Sequence, residues 1–202
     1  MNYNSGGRAT VSIHEYTVLG IAGSIRAGSA NRGLLREASR LLPSGMKLEF
    51  FDLAPIPLFN EDVRVAGTPE SVKELKRRLA AADGILFSVA EYNYSLSGVL
   101  KNAIDWASRP VEESPLAGKP IAIMGAGGGL GTARAQYHLR QVAVFTDMLP
   151  MNKPELMVSK SWERFDKEGN LLDETVRPQL QAFLAAFSGW ISAVQAGRPQ
   201  KG

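Results

Sequence analysis

Apolar runs and helix-like patterns alternate along the chain from Tyr16 to Ala196. The runs are short and continuous, as expected for strands buried on both faces of a parallel sheet, and the helical segments space apolar residues three and four apart. Predicted strands cover Tyr16–Ala22, Met46–Leu53, Gly84–Ala90, Pro120–Met124 and Glu155–Val158, and predicted helices cover Asn31–Leu42, Pro69–Ala82, Ser97–Ser108, Thr132–Phe145 and Glu174–Ala196. The alternation predicts an α/β fold, a five-stranded parallel sheet with helices on both faces.

Two polar segments are predicted to connect these elements. Pro55–Asp62 is predicted to be a long loop, because its two prolines disfavour both a helix and a central strand. Ser161–Asn170 is predicted to be a polar excursion that ends in a turn at Glu168–Asn170. The sequence thus predicts one domain over residues 15–197, with a flexible leader over 1–14 and a flexible tail over 198–202.

Composition narrows the possible functions. The chain has 202 residues, of which 45% are hydrophobic and 21% charged, and its net charge is +3. This charge is too small to indicate nucleic-acid binding, and the basic cluster Lys76–Arg78 is predicted to lie on a solvated helix face. The chain contains no cysteine, which excludes disulfides and thiolate chemistry.

Neither histidine has a pattern typical of a metal site or a catalytic triad, so no metal is expected. His138 shares a helical face with Ala135, Val142 and Phe145, which predicts a histidine packed in the core. No segment approaches the roughly 18 apolar residues of a membrane span, and Met1–His14 is polar and lacks the apolar core of a signal peptide. We therefore expect a cytoplasmic protein that does not bind membranes.

A Gly/Ser segment, Gly23–Asn31, connects the first predicted strand to the first helix. Backbone N–H groups and the helix dipole favour an anion at such a position. Ser24, Ser29 and Asn31 add neutral donors and Arg26 adds a charged one, a set that suits a terminal monophosphate. The segment matches neither the P-loop nor the Rossmann glycine pattern. An ordinary Ser-rich loop, with Asn31 capping the helix, is the alternative.

Two further loops follow the third and fourth predicted strands. In doubly wound sheets of order 2-1-3-4-5, ligands bind at the carboxyl ends of the strands near the switch point. Glu91–Ser95 offers tyrosine rings and an amide, which suit a flat heterocycle with a polar edge. Gly125–Gly131 holds five glycines, which let backbone amides approach a ligand closely. A surface turn and tight loop packing are the respective alternatives.

The chain resembles the NADPH-dependent FMN reductase family, and within it the bacterial quinone and chromate reductases. The motifs are Gly23-Ser24-x-Arg26-x-x-Ser29-x-Asn31, Pro57-Leu58-Phe59-Asn60-x-Asp62, Glu91-Tyr92-Asn93-Tyr94-Ser95 continuing to Trp106, Leu116–Pro120 and Gln136–Arg140. The resemblance implies a flavodoxin-like fold with strand order 2-1-3-4-5, non-covalently bound FMN, NADPH or NADH as reductant, and a homodimer or homotetramer.

The resemblance also implies which residues bind the cofactor. Those expected on the FMN phosphate are Ser24, Arg26, Ser29 and Asn31, and those expected along the isoalloxazine ring are Glu91, Tyr92, Asn93 and Tyr94. The family's usual proline before Glu91 is Ala90 here, and the family's Ser or Thr after the fourth strand is replaced by glycine. Backbone amides of Gly127 and Gly128 are therefore the expected contacts to the flavin in that loop.

The expected reaction is ping-pong hydride transfer from NAD(P)H through FMN to a quinone or another oxidant, such as chromate, an azo dye or a nitroaromatic compound. No general acid is required, and Tyr92 or Tyr94 is a candidate for gating the ring face. An electron carrier of the flavodoxin type is the alternative, disfavoured by a pI of about 9.2 because such carriers are typically acidic. A non-enzymatic FMN-binding protein is a third possibility.

Overall fold

The structure is a computed structural model that describes residues 15–197. The predicted leader, with His14, and the predicted tail lie outside the described residues. The strands are β1 (Tyr16–Ala22), β2 (Met46–Phe51), β3 (Gly84–Ser88), β4 (Glu91–Tyr92), β5 (Ser95–Leu96), β6 (Pro120–Ala126), β7 (Leu149–Pro150) and β8 (Leu156–Val158). The helices are α1 (Ala30–Arg40), α2 (Glu61–Ala66), α3 (Glu70–Ala81), α4 (Gly98–Ala107), α5 (Ala133–Thr146), α6 (Ser161–Arg164) and α7 (Val176–Ala196), with a 3₁₀ turn at Val111–Glu113.

The main sheet is parallel and has the order β2-β1-β3-β6, followed by β7 and β8. Gly84–Ser88 is buried along its whole length at the centre of the sheet. The last position is shared, because β7 pairs with the start of β6 and β8 pairs with its end. The predicted flavodoxin-like fold and the strand order 2-1-3-4-5 are therefore confirmed, with a fifth position divided into two short strands.

Helices cover both faces of this sheet. On one face Val18, Leu86 and Met124 pack with α1 and α7, and on the other face Leu19, Phe87 and Ile123 pack with α3, α4 and α5. The alternation follows from the strand period of two residues, since neighbouring side chains point to opposite faces. Two cores thus hold the sheet between helices, and the carboxyl ends of β1, β3 and β6 meet at one edge.

Two sequence predictions about the connections are corrected. The predicted loop Pro55–Asp62 ends at Asn60, because Glu61 and Asp62 form the first turn of α2. Asn60 is the N-cap of this helix, and its Oδ1 accepts a hydrogen bond from Asp62 N at 2.9 Å. Gly125 is not loop either, since β6 extends through Ala126 and pairs with β8. The predicted polar excursion contains the short helix α6, and a turn in which Gly169 N donates to Asp166 O lies next to the predicted turn.

The basic cluster on α3 is only partly solvated: Arg77 is exposed, whereas Lys76 and Arg78 are half-buried, and all three have partners. Arg77 pairs with Glu74 at 2.6 Å, and Arg78 pairs with Glu49 at 2.9 Å. Lys76 Nζ donates to Arg109 O, and partial burial lowers the pKa of the Lys76 ammonium. No helix within residues 15–197 combines the length and apolar character that a membrane span requires.

Candidate flavin site

The segment between β1 and α1, residues 23–31, forms a cradle at the amino end of α1. Ser29 is the N-cap of the helix, and its Oγ accepts from Arg32 N at 3.4 Å. Ser24 Oγ accepts from Arg26 N, and the Arg26 guanidinium is exposed and donates to Gly28 O at 3.0 Å. The first amides of a helix lack partners within it, so this cradle gathers amides, hydroxyls and one cation. Such a donor set fits a phosphate group.

Asn31 fixes the cradle to the sheet. Its side chain is 5% exposed, and its Nδ2 donates to Ala126 O at 2.9 Å. Its Oδ1 accepts from Ala126 N at 2.9 Å and from Ser88 Oγ at 3.0 Å. These bonds tie α1 to the carboxyl ends of β3 and β6. The Asn31 amide side chain therefore positions the cradle, and its backbone N–H is the group left for an anion at the helix terminus.

Residues 160–172, which we call the clasp, close the cradle from the other side. A Cβ on Gly28 would lie 2.2 Å from Lys167 O, and one on Gly33 would lie 1.5 Å from Gly169 O. Gly169 itself has a φ of +79°. The clasp is held in place by Arg36, whose Nη2 donates to Glu168 O and to Asn170 Oδ1, both at 3.2 Å. Only glycine permits these backbones to approach so closely.

The segment after β3 is a small hairpin, residues 91–96, rather than an open loop. β4 and β5 pair antiparallel, with Tyr92 opposite Ser95. The two turn residues, Asn93 and Tyr94, have φ values of 50° and 65°. Positive φ at both central positions defines the tight hairpin turn that matches strand twist, and a tyrosine there is conformationally costly. Such outliers concentrate at functional sites, which is consistent with the predicted role of this segment.

Helix α5 supports the hairpin from outside the sheet. Glu91 Oε2 accepts from Ala135 N at 3.1 Å, capping the helix, and Glu91 also pairs with Arg134 at 3.5 Å. The Arg134 guanidinium lies 3.8 Å from the centroid of the Tyr94 ring. Glu91 is therefore a structural carboxylate of the hairpin, and Tyr94 is held at its turn by a cation–π contact.

The prediction that His138 packs in the core is wrong. His138 is exposed on α5, and its Nδ1 lies 2.9 Å from Ser95 Oγ in the hairpin. The helix is rotated so that Gln136, Leu139 and Ala143 face the interior. A polar partner outside the core thus determines the position of His138, and the helical pattern alone did not reveal it.

The glycine segment after β6 divides into packed and open positions. A Cβ on Gly125 would lie 2.1 Å from Thr132 Oγ1, and one on Gly127 would lie 2.3 Å from Gly131 O. A Cβ on Gly128 or Gly129 would meet nothing within 4 Å. Gly127 and Gly128 accept backbone hydrogen bonds from Ser161 N and Lys160 N of the clasp, at 2.8 and 2.9 Å. The Gly127 N–H donates to Val158 O at 3.0 Å, so this amide is not free for the flavin contact expected from the sequence, whereas Gly128 borders open space where a ligand can approach.

These parts enclose one cleft of about 170 Å³. Its lining includes most of the predicted site residues, namely Ser24, Arg26, Ser29, Asn31, Glu91, Tyr92, Gly127 and Gly128. Asn93 and Tyr94 lie at the hairpin turn next to it, with Tyr94 65% exposed. The cleft is also lined by Ala90, already noted in the sequence, and by Ala30, Ala126 and Ser161, which were not predicted as site residues. Ser161 comes from the clasp, and no motif in the sequence marks it.

A doubly wound parallel sheet with a phosphate cradle after β1 and an aromatic hairpin after β3 defines a flavin-binding α/β protein. Comparison with known proteins agrees with this class. Residues 16–163 match the model of the NADPH-dependent FMN reductase family, and the chain belongs to that family. FMN is therefore its cofactor and NAD(P)H its reductant, and the donor set of the cradle fits the FMN phosphate.

Similar proteins carry related names. An NAD(P)H-dependent FMN reductase of Pseudomonas aeruginosa is 54% identical over 178 residues, covering 88% of this chain and 96% of its own length. An NAD(P)H:quinone oxidoreductase of Solanum tuberosum is 45% identical over 176 residues, which cover 84% of this chain and 90% of the relative's own length. The solved structure of FerB, an NAD(P)H:(acceptor) oxidoreductase from Paracoccus denitrificans, is 34% identical with a TM-score of 0.80, covering 88% and 98%.

Proposed function

We propose that this oxidoreductase transfers electrons from NAD(P)H to quinones. The observation that carries the proposal is the meeting of the cradle, the hairpin and the glycine segment at one cleft in a chain of this family. The names of similar quinone reductases support the acceptor class. Chromate, azo dyes and nitroaromatic compounds are further acceptors that we propose on the family resemblance.

The residues of the site divide the work of binding. Arg26, Ser24 and Ser29 hold the FMN phosphate with the first amides of α1, and Asn31 keeps that turn in place. Glu91, Tyr92, Asn93 and Tyr94 border the isoalloxazine ring, and the amide of Gly128, at the open end of the glycine segment, faces its polar edge. Bound FMN supplies hydride acceptance from NAD(P)H and two-electron donation to a quinone, which takes up two protons to become a hydroquinone.

We extend the proposal to ping-pong kinetics, in which the reductant leaves the cleft before the acceptor enters it. Tyr92 is 58% exposed and Tyr94 is 65% exposed, so both rings can gate the approach to the cleft. Solvent or a backbone amide can assist proton delivery. Wild-type turnover by the double variant Tyr92→Phe/Tyr94→Phe would exclude a role for the two hydroxyl groups.

A homodimer or homotetramer is the proposed assembly. Val144 and Phe145 on α5 are 83% and 67% exposed, and Leu58 is 86% exposed. The cleft, at about 170 Å³, is smaller than the roughly 300–1,000 Å³ of ordinary ligand sites, which supports a partner subunit completing its wall. Light scattering of Phe145→Ser beside the wild type tests this assembly. A wild-type mass equal to one chain would contradict it.

Anaerobic stopped-flow mixing of the FMN-loaded protein with NADPH tests the function. We expect the visible flavin band to bleach within the time of ordinary turnover and to return when a quinone is added. If neither NADPH nor NADH bleaches the band, the protein is instead an electron carrier or a binding protein, and a protein partner becomes the next question. The cytoplasmic location stays a prediction.

A further inference from the structure

A second cavity lies beside the cradle, outside the flavin site. It occupies about 330 Å³ between helix α1 and the edge strand β2, and we call it the edge groove. This volume falls within the roughly 300–1,000 Å³ typical of sites for small molecules. The residues on which the argument depends are Gly20, Ala22, Arg32, Arg36, Phe50 and Asp52.

Small residues on β1 create the groove. Gly20 and Ala22 form its floor, and a Cβ on Gly20 would lie 3.1 Å from Leu48 Cδ1 and 3.3 Å from Leu35 Cδ2. Its outer wall is Phe50 of β2, which remains 48% exposed. An aromatic ring that forms the wall of a concave, mainly apolar groove offers a stacking surface for another flat ring.

The opposite wall of the groove is cationic. Arg32 and Arg36 project from successive turns of α1. The Arg32 guanidinium has only long contacts, 3.4 Å to Ile25 O and 3.5 Å to Asp52 Oδ2, so a closer anion can engage it. Arg36 donates to the neutral oxygens of Glu168 and Asn170. Two guanidinium groups face one carboxylate, and the groove keeps a net positive charge.

The groove is continuous with the flavin site. Ser24 lines both cavities, so a molecule in the groove lies next to the cradle without occupying it. The groove thus combines a surface for a flat ring, guanidinium groups for a phosphate and one carboxylate, Asp52, that can accept from hydroxyl or amino groups. An adenosine phosphate has all three of these chemical features.

We propose that the edge groove binds an adenosine phosphate. NAD(P)H carries this group at the end opposite its nicotinamide. Choosing NAD(P)H as the source of the adenosine phosphate rests on the proposed function. FAD, if it replaced FMN, would carry the same group next to the cradle. In either case the phosphate lies on Arg32 and Arg36 and the adenine lies along Phe50.

Calorimetric titration of the FMN-loaded protein with 2′,5′-ADP, which cannot reduce a flavin, tests the proposal. With FMN in the cradle, we expect one nucleotide per chain. Arg32→Gln should raise its dissociation constant roughly tenfold or more, because it removes a charge-assisted hydrogen bond. Phe50→Ser should raise the constant as well. Arg77→Gln, which removes the same charge from α3, should leave it unchanged.

A second arm identifies the source of the nucleotide. Flavin-free protein is given FMN and FAD separately. If FAD binds more tightly and Arg32→Gln removes that advantage, the group in the groove belongs to FAD. If FAD has no advantage and 2′,5′-ADP binds the FMN-loaded protein, the group belongs to the reductant.

The proposal is overturned if 2′,5′-ADP does not bind and FAD binds no more tightly than FMN. It is also overturned if Arg32→Gln and Arg77→Gln bind 2′,5′-ADP with the same dissociation constant. This result is distinguishable from failure of the proposed function. If NADPH bleaches the flavin but 2′,5′-ADP does not bind, the reductase function stands and the nucleotide site in the groove is excluded. If 2′,5′-ADP binds but NADPH does not bleach the flavin, the nucleotide site in the groove stands and the reductase function is excluded.

Discussion

The cradle and the hairpin border the same cleft but are held by opposite means. The cradle is anchored from within, because Asn31 is nearly buried and three of its hydrogen bonds join it to β3 and β6. The hairpin is anchored by α5: Glu91, whose side chain is 12% exposed, accepts from Ala135 N, and the remaining contacts, to Arg134 and His138, lie on an exposed face of that helix. Buried contacts are costly to break, whereas exposed ones contribute little.

This difference assigns separate tasks to the two regions. A phosphate needs fixed donors, and the cradle is packed against glycine backbones that cannot shift without disturbing the clasp. Flat oxidants of various sizes need an adaptable wall, and the hairpin presents two largely exposed tyrosines. We therefore expect cofactor affinity and stability to depend on the cradle, and the choice of acceptor to depend on the hairpin.

The largest effect is expected for Gly33→Ala, which breaks the packing of the cradle against the clasp. The new Cβ would lie 1.5 Å from Gly169 O, a backbone atom. Overpacking of this kind costs about 1–3 kcal/mol, and we expect the free energy of unfolding in urea to fall by about 3 kcal/mol, together with weaker FMN binding. The control is Gly189→Ala in α7, where nothing lies within 4 Å. That variant should gain up to about 1 kcal/mol from helix propensity. Equal stability of the two variants would contradict the close contact.

Arg26→Ala acts on the cradle without touching the core. Loss of a charge-assisted hydrogen bond to the phosphate should weaken FMN binding by roughly 1.5–3 kcal/mol. A fluorescence titration of flavin-free protein with FMN measures this change. Arg77→Ala removes one exposed cation on α3 and serves as the matched control. An Arg26→Ala protein that purifies with full flavin content would rule out this role.

Glu37→Gln tests how α1 is held to α7. Burial disfavours the charged carboxylate, but hydrogen bonds from Arg177 and Arg40 outweigh it and lower the pKa of Glu37 below its ordinary value of 4.5. Because the pKa of Glu37 is lower in the folded than in the unfolded protein, its carboxylate stabilises the fold at pH values above the unfolded pKa. This stabilisation is lost as the pH falls through the folded pKa. We expect Glu37→Gln to cost about 1–2 kcal/mol at pH 7, because Arg177 is partly exposed.

Urea unfolding of wild type and Glu37→Gln at several pH values measures this contribution. The difference between the two proteins should shrink as the pH is lowered below 4.5. A difference that stays constant down to strong acid would mean that the carboxylate charge does not hold the two helices together.

The smallest effect on stability is expected for Arg134→Gln, which loosens the hairpin. Its contacts are a cation–π interaction and a pair with Glu91, and its side chain is 40% exposed. The free energy of unfolding should change by less than about 1 kcal/mol. The KM for quinones should change several-fold while FMN affinity stays as in the wild type. If FMN affinity falls as far as in Arg26→Ala, the two regions do not have separate tasks.

The sheet was predictable because each strand is a local signal. Gly84–Ser88 is continuously apolar, and the loops after β1, β3 and β6 carry residues whose chemistry points to one ligand. β7 was not predictable, because a strand of two residues, one of them a proline, is too short to show the alternation of apolar and polar side chains. The orientation of Asn31 was not predictable either, because its partner Ala126 lies 95 residues away. The sequence predicts the clasp only as a polar excursion, because close contacts between glycine backbones leave no recognisable pattern of side chains.

The clasp also bears on the order in which the chain is made. Arg36 bonds to Glu168, 132 residues later, and the cradle is packed against the backbone at Gly169. A growing polypeptide that has released β1, α1 and β3 from the ribosome therefore has the phosphate-binding segment but not its cover. We expect the nascent chain to acquire tight cofactor binding only once the clasp has left the ribosome, a step that ribosome-stalled chains carrying a linker after residue 159 or after residue 197 would reveal by their retained flavin.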